Sequence, residues 1–285
     1  MTTNTLTIDI EDWYHTEFFQ NKFSYKEWDN LSSVVPAAID FILPFLRERN
    51  IKATFFVLGY IAERFPDVVD NLIGAGHEIA CHGYSHTFVS KMSCKEFKID
   101  VQKSLDILKK SRDIDIMGFR APACSITDRE SWFFPVLKEN GFRYDSSIYP
   151  NSFLVLTKRK NSKYTAWNVF EDLWEIPLTS YKLFSNIGIP LSGAFYFRLI
   201  PFFIYKYLVS NLNKKDIPLN IYIHPREICE DFPIIKQSML ADLVHYWKIG
   251  RPLTNKLDKL TNKFNFISVS EAYFNSDGSF KGNNI

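Results

Sequence analysis

Three of the six histidines in this 285-residue chain fall within eleven residues, Gly76-His77-Glu78-Ile79-Ala80-Cys81-His82-Gly83-Tyr84-Ser85-His86. His82 and His86 stand four apart. That spacing turns two imidazoles to one side of a helical turn or tight loop, where their ring nitrogens can hold one ion. Two ligands do not make a site, and a hydrolytic centre wants a carboxylate as the third, with positions left open for water and substrate. Acids of that kind gather early in the chain, at Asp9, Glu11 and Asp12, just before Trp13, Tyr14 and His15. An Asp-His-His set would acidify a water and polarise a carbonyl. A second carboxylate beside it would take the water's proton, with Arg120 keeping that carboxylate ionised and oriented, and His224 would protonate a leaving amine. The reaction class is metal-assisted hydrolysis of an amide or ester. Each residue taken singly has a plainer reading: Arg120 as a helix cap, His224 before Pro225 as the fix of a turn, Asp9 and Asp12 as a solvated loop.

The elements that must position these groups follow from periodicity. Thr5–Ile10 alternates as a strand and ends in the acids; Val34–Arg49 has helical period despite Pro36 and Pro44; residues 53–59 form a continuous apolar strand. Pro66–Ala75 reads as a helix, and Glu78–Cys81 as a strand running into His82. Ser93 with Glu96 makes a capping box for a helix to about Lys110; Ile116–Phe119 is a strand delivering Arg120-Ala121-Pro122. Ser131–Asn140 closes on Gly141 as a helix, Phe142–Asp145 is a short strand, and residues 151–170 read as loop with short strands. Leu173–Leu178 is strand-like, 194–212 helical, Leu219–Ile223 a strand ending in His224, Ser238–Ile249 a helix, and Phe266–Val269 a last strand. From Ser276 the chain reads as a polar, disordered tail. Strands alternating with helices predict an α/β fold, a distorted (β/α) barrel of seven parallel strands with outer helices, closed or nearly closed. Residues 1–275 make one domain and 276–285 the tail. Asp9, Asp12, His82, His86, Arg120, Asp145 and His224 all lie at or just past strand ends, where such barrels build their sites.

Composition narrows the field further. At 46% hydrophobic the chain can bury a large core, and 34 Lys plus Arg against 32 Asp plus Glu gives a net charge of +2, no sign of a nucleic-acid partner. Cys81, Cys94, Cys124 and Cys229 are widely spaced without a CxxC pair, so neither a disulfide framework nor a thiolate zinc site is expected. Met1-Thr2-Thr3-Asn4 carries no basic region, long apolar core or small-residue cleavage site, and the expected location is cytoplasmic. The apolar, aromatic run from Gly193 to Leu212 is interrupted by Arg198 and Lys206. It fits a helix buried on the sheet or lying on a membrane face better than one that spans.

Taken in order, these residues resemble the five motifs of the polysaccharide deacetylases of carbohydrate esterase family 4. Those motifs are an acidic cluster after the first strand, H-S/T-x-x-H, R-x-P, an Asp-containing segment and a late strand ending in His. The resemblance covers residues 5 to about 270 and includes Thr54–Gly59 and Gly76–Ile79. It implies Asp9 as catalytic base, His82 and His86 as metal ligands, Arg120 with Pro122 as the base-orienting pair, His224 as general acid, the Ala123 N–H as oxyanion donor, and Asp145 near the substrate. The usual first motif has adjacent aspartates, whereas here Asp9-Ile10-Glu11-Asp12-Trp13 spaces them. That spacing resembles a bacterial exopolysaccharide-associated branch, which also shows RAPxxSIT (Arg120–Thr127), Tyr144-Asp145-Ser146-Ser147 and His224-Pro225-x-Glu227. The third ligand is expected at Asp12, with Glu11 the alternative because it lies two residues from Asp9 on the same strand face. The implied function is a metal-dependent hydrolase removing an N-acetyl or similar N-acyl group from an amino sugar in surface-polysaccharide synthesis, with zinc, or cobalt, nickel or manganese, as the ion. The implied substrate is nucleotide- or lipid-linked, with peripheral membrane contact. The alternatives are a metal-free, allantoinase-like cyclic-amide hydrolase and a silent glycan-binding relative using Trp13, Tyr14, Trp132, Trp167 and Trp174 to stack on sugar.

Overall fold

A computed structural model of the chain describes residues 2–282 except 17, 20, 21, 111, 151–161, 185, 186, 230–232 and 237. The first strand, β1 (Asn4–Ile10), is buried at every position. Its apolar Leu6, Ile8 and Ile10 and its polar Thr5, Thr7 and Asp9 therefore both face protein, as in a parallel sheet covered on two sides. After it come α1 (Val35–Glu48), β2 (Thr54–Val57), α2 (Gly59–Arg64), α3 (Pro66–Gly74), β3 (Glu78–Cys81), α4 (Cys94–Lys109), β4 (Gly118–Phe119), α5 (Phe133–Glu139) and β5 (Tyr144–Asp145). The second half holds β6 (Trp167–Phe170), β7 (Leu173–Glu175), β8 (Ser180–Phe184), β9 (Ile187–Pro190), α6 (Ala194–Leu199), α7 (Phe202–Asn213), β10 (Asn220–Ile223), α8 (Pro225–Ile228), α9 (Met239–Tyr246), α10 (Arg251–Thr261), β11 (Phe266–Ile267) and α11 (Val269–Tyr273).

The strand order is β10-β1-β2-β3-β4-β5-β7-β6. Every neighbouring pair as far as β7 is parallel, and β6 runs antiparallel to β7. β11 pairs with β1 at Asn4 and Thr5, and β2 pairs with β1 from Thr7 to Ile10. The expected α/β fold is found, its largely parallel sheet curled into a half-barrel. Between β7 and β10 side chains stand in for a ladder: Asn220 Nδ2 donates to the carbonyls of Ile176 (3.4 Å) and Pro177 (3.2 Å), and Asn220 N–H donates to Thr179 Oγ1 (2.7 Å).

Local signals explain most of the elements. Ser93 and Glu96 exchange the two bonds of a capping box at the start of α4. The single helix expected over 194–212 breaks in two, because Pro201 lacks an N–H and forces Ile200 into extended backbone (φ −74°, ψ 125°). α10 carries a helical spacing that reading the strands had passed over, Leu253, Leu257 and Leu260, all buried. The tail also departs from expectation. Phe280 stacks on Trp174 at 3.5 Å with the rings 4° apart and its backbone bridges Phe274, so residues 276–282 fold back onto the domain. Part of the predicted loop, 151–161, and residues 283–285 lie outside the described residues. Trp13 and Tyr14 are buried in the core and Trp132 packs on Phe97, so these rings brace the fold and do not line an open mouth. All four cysteines are free thiols.

Candidate metal centre and active site

Register aligns the chemistry. Ile10 pairs with Val57, Val57 with Cys81, Cys81 with Phe119, and Phe119 with Asp145, so these strand ends are level. Glu11, His82, Arg120 and Ser146 are each the next residue along, and His224 follows Ile223, which lies opposite Ile8. One rim of the half-barrel collects them.

Glu11, His82 and His86 form the cluster, each offering a ligand atom within 4.8 Å of the others and all three buried. Glu11 Oε2 touches His86 Nε2 and lies 3.8 Å from His82 Nε2. His82 Nδ1 sits 2.8 Å from the carbonyl of Arg120. A carbonyl only accepts, so Nδ1 carries the proton and the Nε2 lone pair faces Glu11. His86 is held in left-handed backbone (φ 52°), uncommon for a non-glycine residue and typical of functional sites. Burial raises the Glu11 carboxyl pKa, but the neighbouring His86 and His224 outweigh it and hold the group well below the usual range. Two imidazole nitrogens and one ionised carboxylate, buried together, are a donor set that fits a divalent ion.

Asp12 corrects the expected third ligand. Its Oδ1 accepts from the backbone N–H of Trp13 (3.2 Å) and of Val34 (3.0 Å), capping the turn Trp13–His15 and tying it to the entry of α1. Its own N–H donates to His15 Nδ1 (2.9 Å), and burial pushes its carboxyl up to about 6. Glu11, two residues beyond Asp9, takes the place beside the histidines.

Arg120 is fully buried and binds through its whole fork. Nη1 donates to Asp9 Oδ1 (2.7 Å) and Thr7 Oγ1 (2.8 Å), Nε to the Ser146 carbonyl (2.9 Å) and Nη2 to Ser146 Oγ (2.9 Å), with the Phe56 ring 4.0 Å from the guanidinium. Because its carbonyl also takes the His82 proton, one residue fixes both Asp9 and the cluster. Asp145 does not stand at the mouth. It is buried and accepts from Ser147 Oγ (2.7 Å), which accepts from the Ala121 N–H (2.8 Å), so it props the Arg120-Ala121-Pro122 loop from beneath. On that loop the exposed Ala123 (φ 52°) and the buried Cys124 (φ 50°) are consecutive left-handed residues.

His224 stands across the rim, with Nε2 3.7 Å from Glu11 Oε1. Glu227 Oε2 accepts from its N–H (3.0 Å) and meets its Nδ1 (2.9 Å), while Glu227 Oε1 accepts from Arg198 Nη2 (3.1 Å). Burial lowers the His224 pKa, but Glu227 and Glu11 outweigh it and leave it raised. For Glu227, burial is outweighed by His224 and by Arg226 and Arg198, which hold its carboxyl far down.

Sequence reading passed over Asp100. From α4 it accepts from the N–H of Tyr84 (2.7 Å) and Ser85 (3.2 Å) and from Ser85 Oγ (2.8 Å), gripping the loop between the two histidines. Gly83 must be glycine there: φ is +73°, and a Cβ would meet Asp100 Oδ2 at 2.9 Å. Its only sequence signal was the acid's place on a predicted helix next to the motif. Asp100→Ala is expected to weaken divalent-metal affinity about 10- to 100-fold while the chain stays folded, read by metal titration alongside circular dichroism. An unchanged affinity would mean that the loop holds its shape without this carboxylate.

Residues 22–144 match the polysaccharide deacetylase family model. Residues 146–274 match a second model, described as a domain of unknown function (DUF3473). A Bacillus cereus peptidoglycan-N-acetylglucosamine deacetylase is 41% identical over 69 residues, 24% of this chain and 25% of its own length. A Helicobacter pylori peptidoglycan deacetylase is 29% identical over 112 residues, 39% of this chain and 37% of its own. The chain thus matches well under half the length of these curated relatives. Among solved structures, a Mycobacterium smegmatis protein described as a polysaccharide deacetylase superposes with a TM-score of 0.61 at 19% identity, covering 95% of this chain and 89% of that one. A CE4 family pseudoenzyme from Bacillus anthracis gives 0.52 at 13% identity, covering 95% and 65%. At such identities these structures share the fold alone. The family supported by both the model and the curated relatives is that of the polysaccharide deacetylases.

Proposed function

We propose that the chain is a metal-dependent N-deacetylase acting on an N-acylated amino sugar. The observation that carries this reading is the buried Glu11–His82–His86 donor set beside an Asp9 held by Arg120, with His224 across the rim. Glu11, His82 and His86 would hold a divalent ion, zinc first, which would supply Lewis acidity for the amide carbonyl and for a water. Asp9 acts as general base: Arg120 engages its Oδ1, and the other oxygen takes the water's proton. The Ala123 N–H stabilises the oxyanion. Glu227 anchors His224 at Nδ1, which leaves Nε2 to deliver a proton to the departing amine as the carbon–nitrogen bond breaks. The donor set speaks against the metal-free cyclic-amide reading, and burial of Trp13 and Tyr14 removes two of the rings a stacking platform would use.

The finer reading is an intermediate of bacterial surface-polysaccharide synthesis, nucleotide- or lipid-linked and met in the cytoplasm. What supports it is the likeness of Asp9-x-Glu11-Asp12, Arg120–Thr127 and His224–Glu227 to the exopolysaccharide-associated branch.

The test is amine release from a panel of N-acetyl sugars, polymeric, nucleotide-linked and lipid-linked, by metal-loaded and chelator-treated protein. Release that depends on metal is expected; none from any substrate would end the enzymatic reading. On the best substrate, His224→Ala should lower kcat about 10²- to 10⁴-fold with little change in KM. On an O-acetyl analogue, whose leaving group needs less protonation, part of the rate should return. Equal loss on both would make His224 a positioning residue.

A further inference from the structure

Among the described residues twelve large apolar side chains are exposed, and eight of them lie between 199 and 243. On α7 Phe203 (71% exposed) and Tyr207 (63%) form a stripe with Leu199 at the end of α6, while Tyr205, Leu208, Val209 and Leu212 turn inward. On α9 the exposed side chains are Met239 (91%), Leu240 (70%) and Leu243. The elements that carry them are tied together: Arg198, at the end of α6, donates to the carbonyls of Val244 (2.7 Å) and of Trp247, just past α9. A monomer rarely leaves so much apolar surface in one region without a use for it.

Charge says what covers it. From Ile176 to Lys215 the sequence holds five cations, Lys182, Arg198, Lys206, Lys214 and Lys215, and no Asp or Glu. Arg198 is spent on Glu227, but Lys206, Lys214 and Lys215 are exposed on or just past α7. Among the described residues, α9 and its flanks add Lys236 and Lys248, against the half-buried Asp242 and the exposed Asp216 that follows Lys215. A second copy docking through this face would set lysines against lysines, because a two-fold interface presents the same patch from both sides. An anionic bilayer accepts both features: aromatic and apolar side chains enter at headgroup depth, and lysine stems lie along them with ammonium groups on phosphate. No helix among the described residues is long and apolar enough to cross a membrane.

We propose that α7 and the first turn of α9 dock the protein peripherally on an anionic lipid bilayer. The docking layer is mechanically joined to the reactive rim, since Arg198, which pins α6 to α9, also holds Glu227 and through it His224.

The test is flotation of the full chain with vesicles of phosphatidylcholine alone or mixed with phosphatidylglycerol, at low and high salt. Wild type should float only with the anionic vesicles and lose that binding at high salt. Lys206→Glu with Lys214→Glu should weaken partitioning by about twentyfold or more, at roughly fivefold per lysine. Phe203→Ser with Tyr207→Ser should weaken it as well. All four changes are at exposed positions, so unchanged melting temperatures and amine release from a soluble sugar are expected, which separates this proposal from the deacetylase reading. It is overturned if wild type ignores anionic vesicles, or if the variants float as wild type does. It is also overturned if light scattering shows a wild-type dimer that the Phe203/Tyr207 variant dissolves, since the face would then join two copies.

Discussion

Glu11→Gln, His82→Ala and His86→Ala are each expected to empty the site of its divalent ion and abolish amine release, whereas Asp9→Asn should keep the ion and lose turnover about 10²- to 10⁴-fold. The split follows from geometry. Glu11 touches His86 within the cluster, while Asp9 is bound by Arg120 and, in the proposed mechanism, takes the water's proton. Asp12 supplies the control. Its carboxylate caps a turn and the entry of α1, so Asp12→Ala should retain metal while lowering stability by about 0.5–2 kcal/mol, as lost caps do. Metal content per chain, melting temperature and amine release on the same preparations read all five variants. If Asp12→Ala empties the site and Glu11→Gln does not, the third ligand is wrongly assigned. If Asp9→Asn empties it, Asp9 is a ligand and the base must be sought elsewhere.

The second large effect is expected at Arg120, and it falls on stability before catalysis. Arg120→Met leaves the Asp9 carboxylate buried without its cation and strips partners from Thr7 and Ser146, a loss of about 3–5 kcal/mol. Against a total stability of about 5–15 kcal/mol this is a large fraction. Much of that penalty comes from the stranded charge, so Arg120→Met with Asp9→Asn should be less destabilised than the sum of the single changes, by about 1 kcal/mol or more. Arg120→Lys keeps the charge but lacks the planar fork that reaches three residues at once, and should fall between. Urea midpoints for wild type and these four variants decide it. Additive losses, or a loss under about 1 kcal/mol for Arg120→Met, would show that Asp9 keeps its place without the guanidinium.

The residues that could do chemistry were readable because chemistry here is written in short spacings. His82 and His86 sit four apart, Asp9 and Glu11 two apart on a strand, and each acid, histidine or arginine follows an apolar run that only a buried parallel strand explains. The Ser93–Glu96 box and the glycine after α5 marked helix ends in the same local way. Other features depended on partners distant in sequence. Whether Glu11 or Asp12 joins the histidines turns on the Val34 N–H, 22 residues on, which claims Asp12. Asp100 grips the histidine loop from a helix whose own pattern only predicts a solvated face. Arg198 reaches Glu227 across 29 residues, and Asp145, expected near the substrate, lies beneath the Arg120-Ala121-Pro122 loop. The two ends of the curled sheet are bridged by Asn220, whose side chain meets carbonyls more than forty residues earlier while its backbone pairs with β1. Period and spacing determine which side of an element a residue occupies, and therefore which residues can meet at a strand end. Which carboxylate then joins the two histidines and which caps a turn is settled by competition for buried N–H groups, and those groups are brought within reach only when the chain is folded.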